Sequence, residues 1–290
     1  MTEEKKKSLA QRALDIDHRI LATVIMVITA ALLLIPVSIP FPISQYGLDY
    51  YNFVQEVPPD STVGFMMADG PNTRPSLESS TVLMMSELYQ KNCKLVVWTD
   101  NVLSVPLVFD YQEIAEELLA KKTDRKIEYG VDWVFLGYIP GMETGTTALL
   151  ADISKTVADA DYYGTSLSDL SIMDGINTGH EFEYGFFNCG CAVTEPTYVR
   201  QWVMPYGTKA ASINCAMDLA SIQPYLATGQ LKATGNGLLG SAEMEYLTGE
   251  LGLAYGQTLS VSFSGLYYVI LILLGNIFYF KTRMERGGIE

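Results

Sequence analysis

Two histidines, His18 and His180, and four cysteines are spread through 290 residues, and lysine and arginine together number only 19. Such scarcity excludes several functions. One histidine in the central region cannot build a histidine metal cluster, and no G-x-S-x-G accompanies it to suggest a serine hydrolase. No G-x-G-x-x-G follows the first expected strand, and Gly141-Met142-Glu143-Thr144-Gly145-Thr146-Thr147 lacks the lysine of a Walker loop, so nothing recommends a nucleotide. Basic residues are fewest where a binding surface would need them: residues 44–262 hold eleven Lys/Arg against twenty-seven Asp/Glu. That balance disfavours nucleic acid and anionic lipid headgroups as partners of that region, because phosphate binding needs clustered cations. Cations or basic partners suit it better. No D-x-D-x-D-G loop occurs; residues 158–164 (ADADYYG) come nearest to one.

Apolar residues are plentiful, at 49% of the chain, and they concentrate at its two ends. Residues 20–43 run twenty-four positions without a charge, and about twenty suffice to cross a bilayer as a helix. Pro36, Pro40 and Pro42 should end regular helix near Ile35. Residues 263–280 form a second uncharged stretch, with Tyr267, Tyr268 and Tyr279 as interfacial aromatics and Lys281 and Arg283 directly after. Lys5, Lys6, Lys7, Arg12 and Arg19 precede the first stretch, so the positive-inside rule places both ends in the cytoplasm and the acidic middle outside. The nineteen-residue polar leader and the lack of an A-x-A-like site point to an uncleaved anchor rather than a signal peptide. The expected order is a cytoplasmic segment at 1–19, a span and outer interface at 20–43, an extracytoplasmic domain at 44–227, a glycine-rich connector with a short helix at 228–262, a span at 263–280 and a tail at 281–290.

Within the domain, short apolar stretches at 62–68, 94–98, 132–137, 183–187 and 209–213 read as buried strands. Amphipathic stretches at 76–90, 111–122, 146–158, 195–204 and 217–227 read as the helices between them. Thr194, Glu195 and Pro196 mark a helix start. The alternation defines an α/β fold, Rossmann-like, with a mostly parallel sheet flanked by helices and one transmembrane helix at each end. In such a sheet ligands bind beyond the carboxyl ends of the strands. The loops there single out Asp69, Asn72, Asp100, Asn101, Tyr138, Thr144, Thr146 and Asn214 as candidate ligand-binding residues. The competing reading is that these side chains serve their own turns and helix caps. No catalytic residue and no protein metal site emerges, and no cofactor is implied. His180 reads as a surface or capping residue, on the strand face opposite Glu181 and Glu183. A disulfide from Cys189 or Cys191 to Cys215 suits an oxidising compartment, the alternative being that all four cysteines are small buried hydrophobes.

Residues 128–141, EYGVDWVFLGYIPG, and the stretch MPYGTKAASINCAMDLASIQPYLATGQLKATGNGLLGSAEMEYL resemble a family of prokaryotic two-span membrane proteins of no known activity. The resemblance implies terminal spans around an extracytoplasmic α/β domain. It carries no catalytic residues, and Trp133, Gly137, Tyr138 and Gly141 are expected to fix a strand end and its turn. The expected function is a membrane-anchored binding or assembly module, an accessory subunit of a membrane complex or a homo-oligomer, with a small ligand or a cation as further partner. Catalysis is not required. The alternative is an extracytoplasmic hydrolase or metal-dependent enzyme built on the acidic loops, which requires Asp69, Asp100 and Asp218 to meet.

Overall fold

The computed structural model describes residues 8–34, 39–40, 42–190 and 194–285. The chain forms two units, Pro40–Tyr255 and a smaller one of Met1–Ile39 with Gly256–Glu290.

The smaller unit is helical. It holds α1 (Leu9–Leu14), α2 (His18–Leu34) and most of α12 (Leu253–Glu285). Ser8 opens α1 with a capping box shared with Gln11. Within this unit α2 and α12 run antiparallel: Tyr267 Oη donates to Leu21 O at 2.9 Å, Ser260 Oγ to Thr29 O at 3.4 Å, and Gly256 lies against Leu32 O. Small and hydroxylated residues at the contact bring the two backbones close, as between membrane helices. No residue of α2 is buried, and Met26, Val27 and Leu34 are exposed. One helix among the described residues, Leu253–Met284, is long and apolar enough to cross a bilayer, with mean hydropathy 1.9 in its most apolar window. The expectation of one such helix at each end is thus met only at the carboxyl end. Helix α2 is described over seventeen residues, or about 25 Å at 1.5 Å per residue, and residues 35–38 and 41 of the expected first span lie outside the described residues.

The larger unit is a three-layer α/β domain. Its strands are β1 (Thr62–Ala68), β2 (Lys94–Thr99), β3 (Trp133–Tyr138), β4 (Tyr184–Cys189), β5 (Lys209–Asn214) and β6 (Ala233–Asn236). They lie in the order β3-β2-β1-β4-β5-β6 with every pairing parallel, the doubly wound order of a Rossmann-like sheet. Being covered on both sides, the central strands are apolar on both faces.

One face, with Phe65, Met67, Val97, Phe186 and Ile213, packs under α3 (Gln45–Glu56), α4 (Arg74–Gln90), α5 (Val105–Ala120) and α11 (Gly237–Thr248). The other, with Met66, Trp98, Phe187 and Ala210, packs under α6 (Glu143–Ala151), α7 (Ile153–Thr156), α8 (Thr194–Tyr198) and α10 (Leu219–Ala227). Helix α8 runs through a π-helical turn, Val199–Val203, into α9 (Met204–Tyr206). From that turn Trp202 reaches the middle of the sheet. A Cβ on Gly64 of β1 or Gly185 of β4 would sit 2.7 or 2.5 Å from the indole carbons, so these two glycines form the socket for Trp202.

The five expected strands are present with shifts of a residue or so at their ends. A sixth was not expected: besides its expected short helix, α11 against α4, the stretch read as a connector, 228–262, supplies β6 beside β5 and the first turns of α12. Four residues, Ala-Thr-Gly-Asn, offer too little apolar pattern to announce a strand, and pairing with β5 makes it one. Helix α3, also unforeseen, buries Tyr50, Phe53 and Val54. His180 lies not on a strand but in a 3₁₀ turn, Gly179–Glu181, closed by a capping box between Thr178 and Glu181, with its exposed ring against Tyr206.

Candidate functional site

The order in which successive strands are added reverses between β1 and β4, the switch point at whose carboxyl ends a doubly wound sheet forms its binding crevice. Six loops reach that edge, and the structure sorts their polar residues into those consumed by the fold and those left with unused hydrogen-bonding capacity.

Asp69, at the end of β1, belongs to the first group. Its Oδ1 accepts from Gly70 N at 2.7 Å and from Thr73 Oγ1, its Oδ2 from Tyr111 Oη, and its carbonyl oxygen from Asn101 Nδ2 at 3.2 Å and Ser104 Oγ. The fully buried carboxylate ties β1 to the start of α4 and to α5. Burial pushes its pKa up, opposed by the donors Thr73, Tyr111 and Gly70. Asn101 is likewise occupied, its Oδ1 capping the turn Val102–Ser104 through Leu103 N at 3.1 Å. Asn72 is exposed at the loop tip. For Asp69 and Asn101, the turn-and-cap reading describes what the side chains do.

Beyond β3 the chain bends sharply. Gly137 has φ +95° where the β2–β3 register shifts, and Gly141 has φ +100°. A Cβ on Gly145 would lie 2.1 Å from Pro140 O, so only glycine lets α6 start this close to the turn. Thr144 Oγ1 closes the turn on Gly141 O at 2.9 Å. Tyr138 stands exposed beside a cleft of about 520 Å³ bounded by Ile139, Thr144, Ala148, Val157 and Asp161. Asp161 is fully engaged by Tyr129 Oη, Tyr163 N and Thr165 N, so the ADADYYG loop is a self-satisfied turn.

The second group gathers around α8. Glu195 and Tyr198 lie three residues apart on this helix, and both are fully buried. Tyr198 faces the β1–β2 side, where its Oη, Thr146 Oγ1 and Trp98 Nε1 are buried without hydrogen bonds of normal geometry among the described residues. Asp100 lies there too. Burial raises its carboxyl to about 6, with its own backbone amide and the Tyr198 hydroxyl pulling the other way. Glu195 faces Ser212 and Asn214 of β5, where Ser212 Oγ meets Thr234 Oγ1 of β6 at 2.9 Å and Thr234 Oγ1 donates to Asn214 Oδ1 at 3.0 Å. Neither carboxyl oxygen of Glu195 has a hydrogen bond among the described residues, nor do Asn214 Nδ2, Asp218 Oδ2 and Asn236 Oδ1. Burial lifts the Glu195 carboxyl to about 8; the nearby Asp218 charge adds to this, while the Ser212 and Asn214 side chains oppose it. At neutral pH this acid keeps its proton and is a hydrogen-bond donor as well as an acceptor.

Of the residues expected from sequence, Asp100, Thr146 and Asn214 face this buried polar region, and Asp69 and Asn101 border it as scaffold. Tyr138 and Thr144 belong to the cleft at the β3 edge. Glu195, Tyr198 and Asn236 were missed as candidates. Their signal was present: 195, 198, 199 and 202 follow helical spacing along one buried stripe, and a carboxylate that opens a core-facing stripe is out of place unless it meets polar partners. Asp69, Asp100 and Asp218 do not gather into a group able to hold a metal ion, and no three His, Cys, Asp or Glu side chains do so among the described residues. Cys189 and Cys215 are buried and no bridge joins them; Cys191, the other half of that expectation, lies outside the described residues.

No protein-family model and no curated protein matches the chain. A crystal structure titled as the glycotransferase of kitacinnamycin aligns with 64% of this chain and 38% of its own, at 12% identity and a TM-score of 0.26. The chain thus spans well under half of that structure's length, and a likeness so low carries no argument about fold or function.

Proposed function

We propose that this chain is a membrane-anchored binding module that takes a small, phosphate-free ligand at the carboxyl edge of its sheet, around α8. The observation that carries the reading is the set of buried polar atoms on Glu195, Tyr198, Thr146, Asn214 and Trp98 without hydrogen bonds of normal geometry among the described residues, where a doubly wound sheet receives its ligand. Glu195, held protonated beside hydroxyl and amide groups, and Asp100, ionised at neutral pH, suit a hydroxylated or cationic molecule, and no lysine or arginine pairs with either among the described residues. The anchor is α12. The antiparallel partner α2 supplies a second apolar helix, and lysines and arginines at both ends of the chain favour two crossings with both termini in the cytoplasm and the α/β domain outside. Partners in the membrane are other subunits or further copies of the chain.

Two measurements test this. A single cysteine replacing Asp124, in a background lacking the four native cysteines, should react with a membrane-impermeant maleimide in intact cells; labelling only after lysis defeats the topology. Native mass spectrometry of the full chain in mild detergent should reveal a bound small molecule that is lost in Tyr198→Phe. A bare chain, with or without stoichiometric subunits, removes the ligand reading.

A further inference from the structure

The β5–β6 side of α8 has a chemistry of its own, which stands whether or not the crevice takes a larger ligand. Parallel pairing sets Ser212 opposite Thr234 and Asn214 opposite Asn236, so these four side chains share one face on strands about 4.8 Å apart. Glu195 of α8 covers that face, and Asp218 closes it from the turn after β5. Glu195 is 0% and Asp218 4% exposed.

An inventory of hydrogen-bonding capacity shows what is missing. Oε1 and Oε2 of Glu195, Oδ2 of Asp218 and Oδ1 of Asn236 have no hydrogen-bond partner among the described residues, and Asn214 Nδ2 is an unused donor beside them. The basic side chains with ion pairs are engaged elsewhere, Arg200 with Glu143 and Lys209 with Glu183 among them, and none among the described residues pairs with Glu195 or Asp218. A water molecule brings two protons to four such oxygens and leaves the others unmet.

We propose that Glu195, Asp218 and the carboxamide oxygen of Asn236 bind a hard cation of calcium's kind, with Asn214 Nδ2 donating to a Glu195 oxygen and water completing the shell. Every available ligand atom is an oxygen, with neither imidazole nor thiolate in the set, which selects against zinc and copper. Carboxylate and carboxamide oxygens at a strand end, a turn and a helix make an adaptable shell, which suits calcium better than magnesium with its strict octahedron. The ion would fasten α8 to β5 and β6 and thereby hold Tyr198 against Asp100.

The test uses the full-length protein in detergent, stripped with chelator and dialysed, then titrated with CaCl₂, MgCl₂ or KCl at constant ionic strength. Calcium should raise Tm by about 5–10 °C at a hundredfold excess over its dissociation constant, with magnesium at least tenfold weaker. Glu195→Gln and Asp218→Asn should each abolish the shift. Asn236→Ala serves if those variants do not fold, since the Asn236 side chain makes no capping bond to α11; it should weaken calcium at least tenfold. The proposal is overturned if no cation moves Tm while Glu195→Gln melts at or above the parent, which would make the pair a hydrogen-bonded acid cluster. An equal response to all three salts that survives Glu195→Gln overturns it as well.

Discussion

Glu245 Oε2 accepts the backbone amide of Tyr255 at 2.8 Å. The same oxygen takes Gly252 N at 2.8 Å, while Oε1 takes Ser79 Oγ at 2.6 Å and Ala254 N at 3.2 Å. A carboxylate of α11 thus caps the first turn of α12, where free amides and the helix dipole both favour negative charge. Two residues earlier, Glu243 does the same for α3, taking Ser44 N at 2.6 Å and Ser44 Oγ at 3.0 Å. Glu245→Ala should cost about 2–4 kcal/mol, because it strands several amides at once, and Glu245→Gln roughly half as much. Chemical denaturation of the full chain in detergent, followed by tryptophan fluorescence, reads both.

Tyr111→Phe removes the donor to Asp69 Oδ2 and leaves that oxygen buried without its partner. A loss of about 1–3 kcal/mol is expected. The Tyr111 hydroxyl also holds the Asp69 pKa down, so the variant should lose more stability at pH 8 than at pH 5. Melting curves at the two pH values check the order.

Asp100 gives a pH dependence of known sign. Its folded pKa is about 6 against a reference of 3.8, so between these values the folded state holds a proton that the unfolded chain has released. Its contribution to stability is fully present below about pH 4, falls as pH rises and is gone above about pH 6, a change of roughly 3 kcal/mol. Asp100→Asn should flatten that part of the profile and melt higher than the parent at pH 7. A parent curve that rises relative to the variant between pH 4 and pH 6 contradicts the assignment.

The socket under Trp202 predicts a coupling. Gly185→Ala alone should destabilise by about 2–4 kcal/mol, since the indole has no room to retreat. In a Trp202→Leu background the same substitution should cost at least 1 kcal/mol less. A double-mutant cycle by urea denaturation measures the difference, and strict additivity would refute the contact.

The buried strands were legible because their apolar runs needed no partner to declare themselves: β1 was read at its observed limits, and β2 to β5 within about a residue or two. Sheet order, by contrast, is set by contacts between distant segments, and so is β6, whose four residues become a strand only beside Ala211 and Asn214. At the candidate site the loops were legible and the distinction between them was not. Asp69 and Asp100 stand at equivalent strand ends in the sequence, yet Tyr111 reaches only the first, and that contact depends on how α5 lies on the sheet. Glu195 passed as an ordinary acidic first turn. Its burial follows from α8 facing inward over Ser212 and Asn214, which no local pattern dictates.

The order of the strands also governs how the molecule is made. β1 cannot complete its pairing until Tyr184 to Cys189 have been synthesised, and Ser80 of α4 finds its partner Ser241 later still, close to the carboxyl-terminal helix. A nascent chain therefore carries an open sheet edge and an uncovered apolar α4 through most of translation. During that interval the apolar strands lack the cover they have in the finished fold, and a chaperone that shields residues 62–99 would act then.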